Sequence, residues 1–327
     1  MNVTIAATPK KHLMLFSGRS YPDLAEEVGR QLDVKVTPQS AYDFANGEIY
    51  VRFEESARGC DAFIIQSMCE PINKSLMEAL LMVDALKRAS AKRITAILPF
   101  YPYSRQDKKH LGREPISARL VADLFKTAGA DRIMTVDLHT AQIQGFFDGP
   151  VDHMFAIFVL ADYIKKNYGG QEITVVSPDA GRTKLAEKWA DLLGGTPMAF
   201  IHKTRDPSRP NEVVANRVVG NVKGRLCVVI DDMVDTGGTI AKAAAQLKEE
   251  GASDVVIAAT HGILSGPAPE RLANCGAREV IFTNTLPIPE EKRFPHMTVL
   301  SIAPLLARTI QEVFEDGSVT SLFGGSA

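Results

Sequence analysis

The chain has 327 residues, 45% of them apolar and 23% charged, a mixture typical of folded globular proteins that excludes disordered and fibrous chains. At roughly 150 residues per domain, that length predicts about two domains. With 37 basic against 39 acidic side chains the formal charge is −2, so no overall field draws nucleic acid or an anionic membrane, and any anion must be bound locally.

From the N-terminus, Leu13 to Phe16 reads as a first strand; no basic stretch and long apolar run precede it as in a signal peptide. Further short β-branched runs follow at Ala62–Gln66, Arg93–Leu98, Arg132–Val136, Glu172–Val176, Met198–Ile201, Arg225–Ile230, Asp254–Ala258 and Glu279–Phe282. Between them, Asn73–Arg88, apolar at 76, 77, 80, 83 and 86, and Ala241–Leu247, rising from a Gly-Gly pair, read as helices. This alternation predicts an α/β protein whose mainly parallel sheets are flanked by helices.

Three similar joints, at Ala128–Ile133, Glu250–Val255 and Cys275–Val280, each read as a helix stopped by Gly-Ala and followed by a strand, with the glycine as left-handed cap. Two α/β domains are expected, 1–155 and 156–327, with the C-terminal tail packing back or at an interface through Val319, Leu322 and Phe323. The longest apolar run, Met154–Ala161, is eight residues long, against roughly 20 for a membrane span, so no membrane association and a cytoplasmic address are expected. Cys60, Cys69, Cys227 and Cys275 lack zinc-site spacing and are expected to be reduced, mostly buried thiols. The irregular stretches Pro99–Pro115, Lys203–Pro210 and Pro287–Pro295 are long enough to carry function.

The segment Cys227–Thr239 carries the strongest chemical signal: a buried strand, Asp231 and Asp232 at its carboxyl end, a short loop Asp235-Thr236-Gly237-Gly238-Thr239, then a helix. Backbone amides at such a helix start can wrap a phosphate, the glycines allow close approach, and the threonine hydroxyls add donors. The two acids stand where they can accept hydrogen bonds from vicinal sugar hydroxyls. This motif resembles the ribose-phosphate signature of the type I phosphoribosyltransferase superfamily. Lys203 and Arg205, two apart after the run Met198–Ile201, share one face if that stretch is extended.

Phe44–Glu48, Pro102–Lys109, Arg113–Ala118, Asp137–Asp148 and Ile201–Arg205 extend the likeness through nearly the whole chain. Together they resemble the ribose-phosphate pyrophosphokinase family, in its phosphate-activated bacterial class. The resemblance implies two phosphoribosyltransferase-like domains in a homo-hexamer, ATP and ribose 5-phosphate as substrates, Mg²⁺ as cofactor, and inorganic phosphate and ADP as effectors. The reaction it implies is transfer of the diphosphoryl group of ATP to the anomeric hydroxyl of ribose 5-phosphate. A phosphoribosyltransferase and a catalytically silent synthetase-associated subunit are the alternatives.

By the same resemblance Lys203 and Arg205 are catalytic cations that begin a closing loop, Arg205 also reaching the sugar phosphate. Asp231, Asp232 and the loop Asp235, Thr236, Gly237, Gly238, Thr239 hold ribose 5-phosphate. Arg105, Gln106 and Asp107 bind ATP, and Phe44, Asn46, Gly47 and Glu48 read adenine from an adjacent subunit, Asn46 replacing an aspartate of many members. His139 and Asp179 are the metal ligands, with Asp137, Asp148 and Asp152 ranked below them. Asp179-Ala180-Gly181-Arg182 resembles a pyrophosphate loop in which many relatives carry glycine at Arg182, a residue expected to touch phosphate or point outward. Ser318 and Thr320 resemble an allosteric phosphate site.

Overall fold

A computed structural model of the chain describes residues 11–205 and 213–323, the backbone alone at 203–205 and 213–216. The chain folds as two compact units, the first running to Met154 and taken up again from Ala303, the second Phe155–Ile302. The region expected as one domain over 156–327 thus gives its last helix and tail to the first unit.

The first unit contains β1 (Leu13–Ser17), α1 (Pro22–Leu32), β2 (Gln39–Asp43), β3 (Ile49–Phe53), β4 (Asp61–Ile65), α2 (Ile72–Arg88), β5 (Arg93–Leu98), α3 (Ser117–Ala128), β6 (Arg132–Val136) and β7 (Val151–Met154). Its main sheet has the order β1-β4-β5-β6-β7, parallel throughout. Parallel strands are covered on both faces, and every residue of β4 is buried, as are all but the first of β5 and β6. Each fully buried Leu, Ile or Phe contributes about 1.5–3 kcal/mol. In α2 the apolar spacing misplaces one residue. Met77 faces outward, 52% exposed, while Glu78 is buried at 2% because Arg19 neutralises it.

The second unit contains α4 (Ile157–Tyr168), β8 (Ile173–Ser177), α5 (Thr183–Leu192), β9 (Met198–Arg205), β10 (Val213–Val219), β11 (Leu226–Val234), α6 (Gly238–Glu249), β12 (Asp254–Gly262), α7 (Ala268–Ala273), β13 (Glu279–Thr283) and β14 (Met297–Leu300). Its sheet runs β10-β9-β8-β11-β12-β13-β14, with only the β9–β10 pair antiparallel. Val229, Ile257 and Phe282 of adjacent strands share one core with Ile240, Ala244 and Leu247 of α6. The three repeated joints take left-handed glycines, with φ of 118° at Gly129, 86° at Gly251 and 77° at Gly276, a region that a side chain at Cβ disfavours.

After β14, α8 (Ala303–Phe314) packs on α1, and a short turn Val319–Phe323 packs on α8 with Phe323 buried. Asp316 anchors this end of the chain, accepting from Arg93 Nη1 at 2.7 Å and pairing with Lys11.

Candidate active site

In the first unit, β2 and β3 form an antiparallel hairpin whose tip is Phe44–Glu48. Gly47, at φ 89°, closes the turn by donating to Phe44 O at 2.9 Å, and Asn46 Oδ1 accepts from the Glu48 amide at 3.1 Å. An aspartate there could accept the same bond, so asparagine keeps the turn intact. Phe44 is 46% exposed and meets the Tyr42 ring edge-on, with centroids 5.4 Å apart; it offers a ring face rather than filling the core. Asp43, the last residue of β2, accepts from Arg19 Nη2 at 2.9 Å and from Lys74 Nζ at 2.5 Å. Those two bonds, to α2 and to the loop after β1, hold its carboxyl below the usual carboxylate range, Lys74 first and Arg19 second.

Arg105 and Gln106 are exposed on the loop after β5. Gln106 is held there, its Oε1 accepting from the Ser117 hydroxyl at 2.6 Å. Asp107, grouped with them from the sequence, is instead buried at 5%, and its Oδ2 accepts from Thr140 Oγ1 at 2.7 Å and Gln142 Nε2 at 2.6 Å. Its carboxylate joins the Arg105 loop to the loop of His139.

That second loop leaves β6 through Asp137 at φ 40°, a left-handed conformation that swings His139 out of the strand direction. The Leu138 amide donates to His153 Nε2 at 2.9 Å and fixes the exit. Asp148 is exposed, and Asp152 accepts from Arg132 Nη1 at 2.5 Å.

In the second unit, β11 continues four residues past the sequence-predicted end at Ile230, so Asp231 and Asp232 lie within the strand. β12 stays paired with it through Val234, which makes the extension a real ladder. Gly237, at φ 71°, caps α6, and a Cβ there would lie 3.5 Å from Ala268. The first amides of α6 have no carbonyl one turn back within the helix, and Thr236 and Thr239 are exposed beside them. The loop is braced from behind by Ser265 N donating to Asp235 O at 3.0 Å and Arg271 Nη1 donating to Thr236 O at 3.0 Å.

Asp179 ends the turn after β8 in extended backbone, and its Oδ1 accepts from the Gly181 amide at 2.8 Å. Arg182 turns toward the acids of β11: its Nη2 donates to Asp232 Oδ1 at 2.7 Å and its Nε lies 3.6 Å from Asp231 Oδ1. Burial first, and the neighbouring Asp232 second, push the Asp231 carboxyl above the usual carboxylate range, while Arg182 opposes the shift. The side chains of Lys203 and Arg205 lie outside the described residues; their backbone forms the end of β9. Ser318 and Thr320 are exposed with their hydroxyl oxygens 2.9 Å apart.

Two units built on mainly parallel sheets, one presenting paired acids and a glycine loop at a helix start, define an α/β protein of the phosphoribosyltransferase-like class. Residues 13–129 match the family model described as the N-terminal domain of ribose phosphate pyrophosphokinase, and residues 202–324 the phosphoribosyl synthetase-associated domain. Curated proteins named ribose-phosphate pyrophosphokinase are 70% identical in Mycobacterium tuberculosis, over 97% of this chain and 98% of that protein, and 63% identical in Streptomyces coelicolor, over 98% of each. The crystal structure of phosphoribosylpyrophosphate synthetase from Mycobacterium smegmatis is 69% identical, covers 94% of this chain and 100% of its own, and superposes with a TM-score of 0.90. The chain belongs to the ribose-phosphate pyrophosphokinase family.

Proposed function

We propose that this protein is a ribose-phosphate diphosphokinase, transferring the β,γ-diphosphoryl group of ATP to the anomeric hydroxyl of ribose 5-phosphate to give 5-phosphoribosyl 1-pyrophosphate and AMP. The 70% identity over 97% of the chain to proteins of that name carries the proposal. Such a transfer needs in-line positioning and charge neutralisation, with no protein nucleophile. The α6 amides with Thr236 and Thr239 hold the sugar phosphate, and Asp231 and Asp232 accept from the ribose hydroxyls. Phe44 stacks on adenine, Asn46, Gly47 and Glu48 complete its recognition, and Arg105 and Gln106 meet the nucleotide. Lys203 and Arg205 bring cations to the migrating group.

Mg²⁺ fits the residues present. Asp179 offers the oxygen that a hard cation prefers, and a Mg²⁺ can draw its other ligands from phosphate and water. His139 of the first unit and Asp179 of the second are the ligands we assign by the resemblance, and Mg²⁺ when bound would supply charge neutralisation on the phosphates.

The homo-hexamer is proposed from the resemblance; Ile116, just before α3, and Leu120 and Leu124 within it, exposed at 37%, 57% and 38%, offer apolar surface for association. For inorganic phosphate and ADP as effectors, the paired hydroxyls of Ser318 and Thr320 are the donors we assign. Among the described residues no helix is long and apolar enough to cross a membrane, and we place the enzyme in the cytoplasm, where its four free thiols stay reduced.

Purified protein incubated with ATP, Mg²⁺ and ribose 5-phosphate should yield equimolar AMP and 5-phosphoribosyl 1-pyrophosphate. Pyrophosphate release from supplied 5-phosphoribosyl 1-pyrophosphate and a nucleobase, with no ATP, would instead identify a phosphoribosyltransferase, and no turnover in either assay a silent subunit.

A further inference from the structure

β8 accompanies β11 only as far as the pairing of Val176 with Val229, whereas β12 remains paired to Val234. Past Val229, one edge of β11 therefore has no strand ladder among the described residues. The turn Ala180–Arg182, which follows β8, supplies a side chain there instead. The Asp232 amide donates to Asp231 Oδ1 at 2.9 Å, which folds that carboxylate back along the strand. Nε of Arg182 stands 3.6 Å from the same oxygen, while Nη2 of the same guanidinium donates to Asp232 Oδ1 at 2.7 Å.

Neighbouring residues of a strand ordinarily send their side chains to opposite faces. One planar guanidinium that reaches both acids therefore restricts the direction of each. The cluster is also well shielded, with side-chain exposures of 22% for Arg182, 18% for Asp231 and 6% for Asp232, so solvent screens it far less than a surface pair. Two adjacent carboxylates in such surroundings repel one another, and a cation between them opposes that repulsion.

We propose that Arg182 is a positioning residue for the sugar: its guanidinium pins Asp232 and aims the Asp231 carboxylate at the vicinal hydroxyls of ribose 5-phosphate, an inference that rests on the assignment of these acids to the sugar. Arg182 acts through the acids and makes no contact with the migrating diphosphoryl group. A lysine keeps the charge but lacks the fork that spans two carboxylates, so it restores only part of the effect.

The experiment uses the full-length enzyme with saturating ATP and Mg²⁺. Arg182→Ala should raise KM for ribose 5-phosphate about tenfold, the scale of one lost charge-assisted hydrogen bond, with kcat and KM for ATP within about threefold of wild type. Arg182→Lys should fall between the two. In an Asp232→Asn background, Arg182→Ala should cost less than about threefold more, because the bond it breaks is already weakened. A fall in kcat, or a raised KM for ATP with an unchanged KM for the sugar, would overturn the proposal by placing Arg182 on the phosphoryl groups. A lowered melting temperature with unchanged KM for the sugar would overturn it in favour of a purely structural role. Asp231→Ala is assayed beside them. If that variant leaves sugar KM unchanged, the sugar-site assignment itself fails; if it raises KM while Arg182→Ala does not, only the inference about Arg182 fails.

Discussion

Asp107 Oδ2 accepts a hydrogen bond from the Thr140 hydroxyl at 2.7 Å, which ties the loop of Arg105 to the loop of His139 across 33 residues of sequence. The same oxygen also takes Nε2 of Gln142, and the carboxylate is 5% exposed. Removing it leaves two donors without their acceptor, a loss of about 1.5–3 kcal/mol for bonds to a charged group. Asp107→Ala should lower the urea midpoint accordingly and raise KM for ATP, since the Arg105 loop loses its brace. Asp107→Asn, which keeps one oxygen, should lose less. An unchanged midpoint in Asp107→Ala would show that the tie carries no load.

Strand interiors were legible because fully buried strands are continuous apolar runs. Arg93–Leu98 and Arg132–Val136 are bounded in the structure as the sequence predicts. β11 outran its expected end because Asp231 and Asp232 break the apolar run while β12 goes on pairing with it. β2 escaped notice because Gln39–Asp43 is nowhere fully buried and has no apolar face to betray it. The glycine loop and acid pair were visible as a contiguous motif. The bonds from Arg182 to Asp232 and from Thr140 to Asp107 join residues 50 and 33 positions apart, and nothing in local spacing encodes such pairs.

The hairpin tip Phe44–Glu48 projects its aromatic and acidic residues into solvent, as a loop does that serves a neighbouring copy. If the adenine site is shared in this way, dissociated and reassembled mixtures of Glu48→Ala and Lys203→Ala subunits should regain activity that neither parent shows. Each lesion would then fall in a different composite site of some assemblies. Activity no higher than that of the two parents averaged would place Glu48 and Lys203 in the same subunit's site.

Burial pushes the Cys60 thiol up to about 11, with the Asp61 charge adding to the shift, and the Cys227 thiol up to about 12 against a small opposing effect of Arg225. A raised thiol pKa means that the unfolded chain ionises first. The stabilisation is therefore fully present below the ordinary value of 9.0 and lost as pH rises through about 11 and 12. At pH 8, iodoacetamide should label Cys69, the one partly exposed thiol among the four, well before Cys60 or Cys227, and all should react at similar rates in denaturant. Mass mapping of the labelled peptides reads the order directly; early labelling of Cys227 in native protein would contradict its burial within β11.

Lys203 should carry more of the catalysis than any other side chain assigned here, with Arg205 assisting. The backbone of both residues lies in the ladder between β9 and β10, where Lys203 pairs with Asn216 and Arg205 with Val213. An ammonium brought to the bridging oxygen as charge develops there stabilises the transition state more than bound ATP. Lys203→Ala should then reduce kcat by about 10²–10³, or about 2.7–4 kcal/mol, the scale for one preorganised donor, while the ATP dissociation constant changes little. Lys203→Arg should recover only part of the loss, because a planar fork does not replace a compact ammonium at a single atom. Single-turnover rates and equilibrium ATP binding separate the two effects. A loss confined to ATP affinity would make Lys203 a binding residue and move the principal cation to Arg205 or elsewhere.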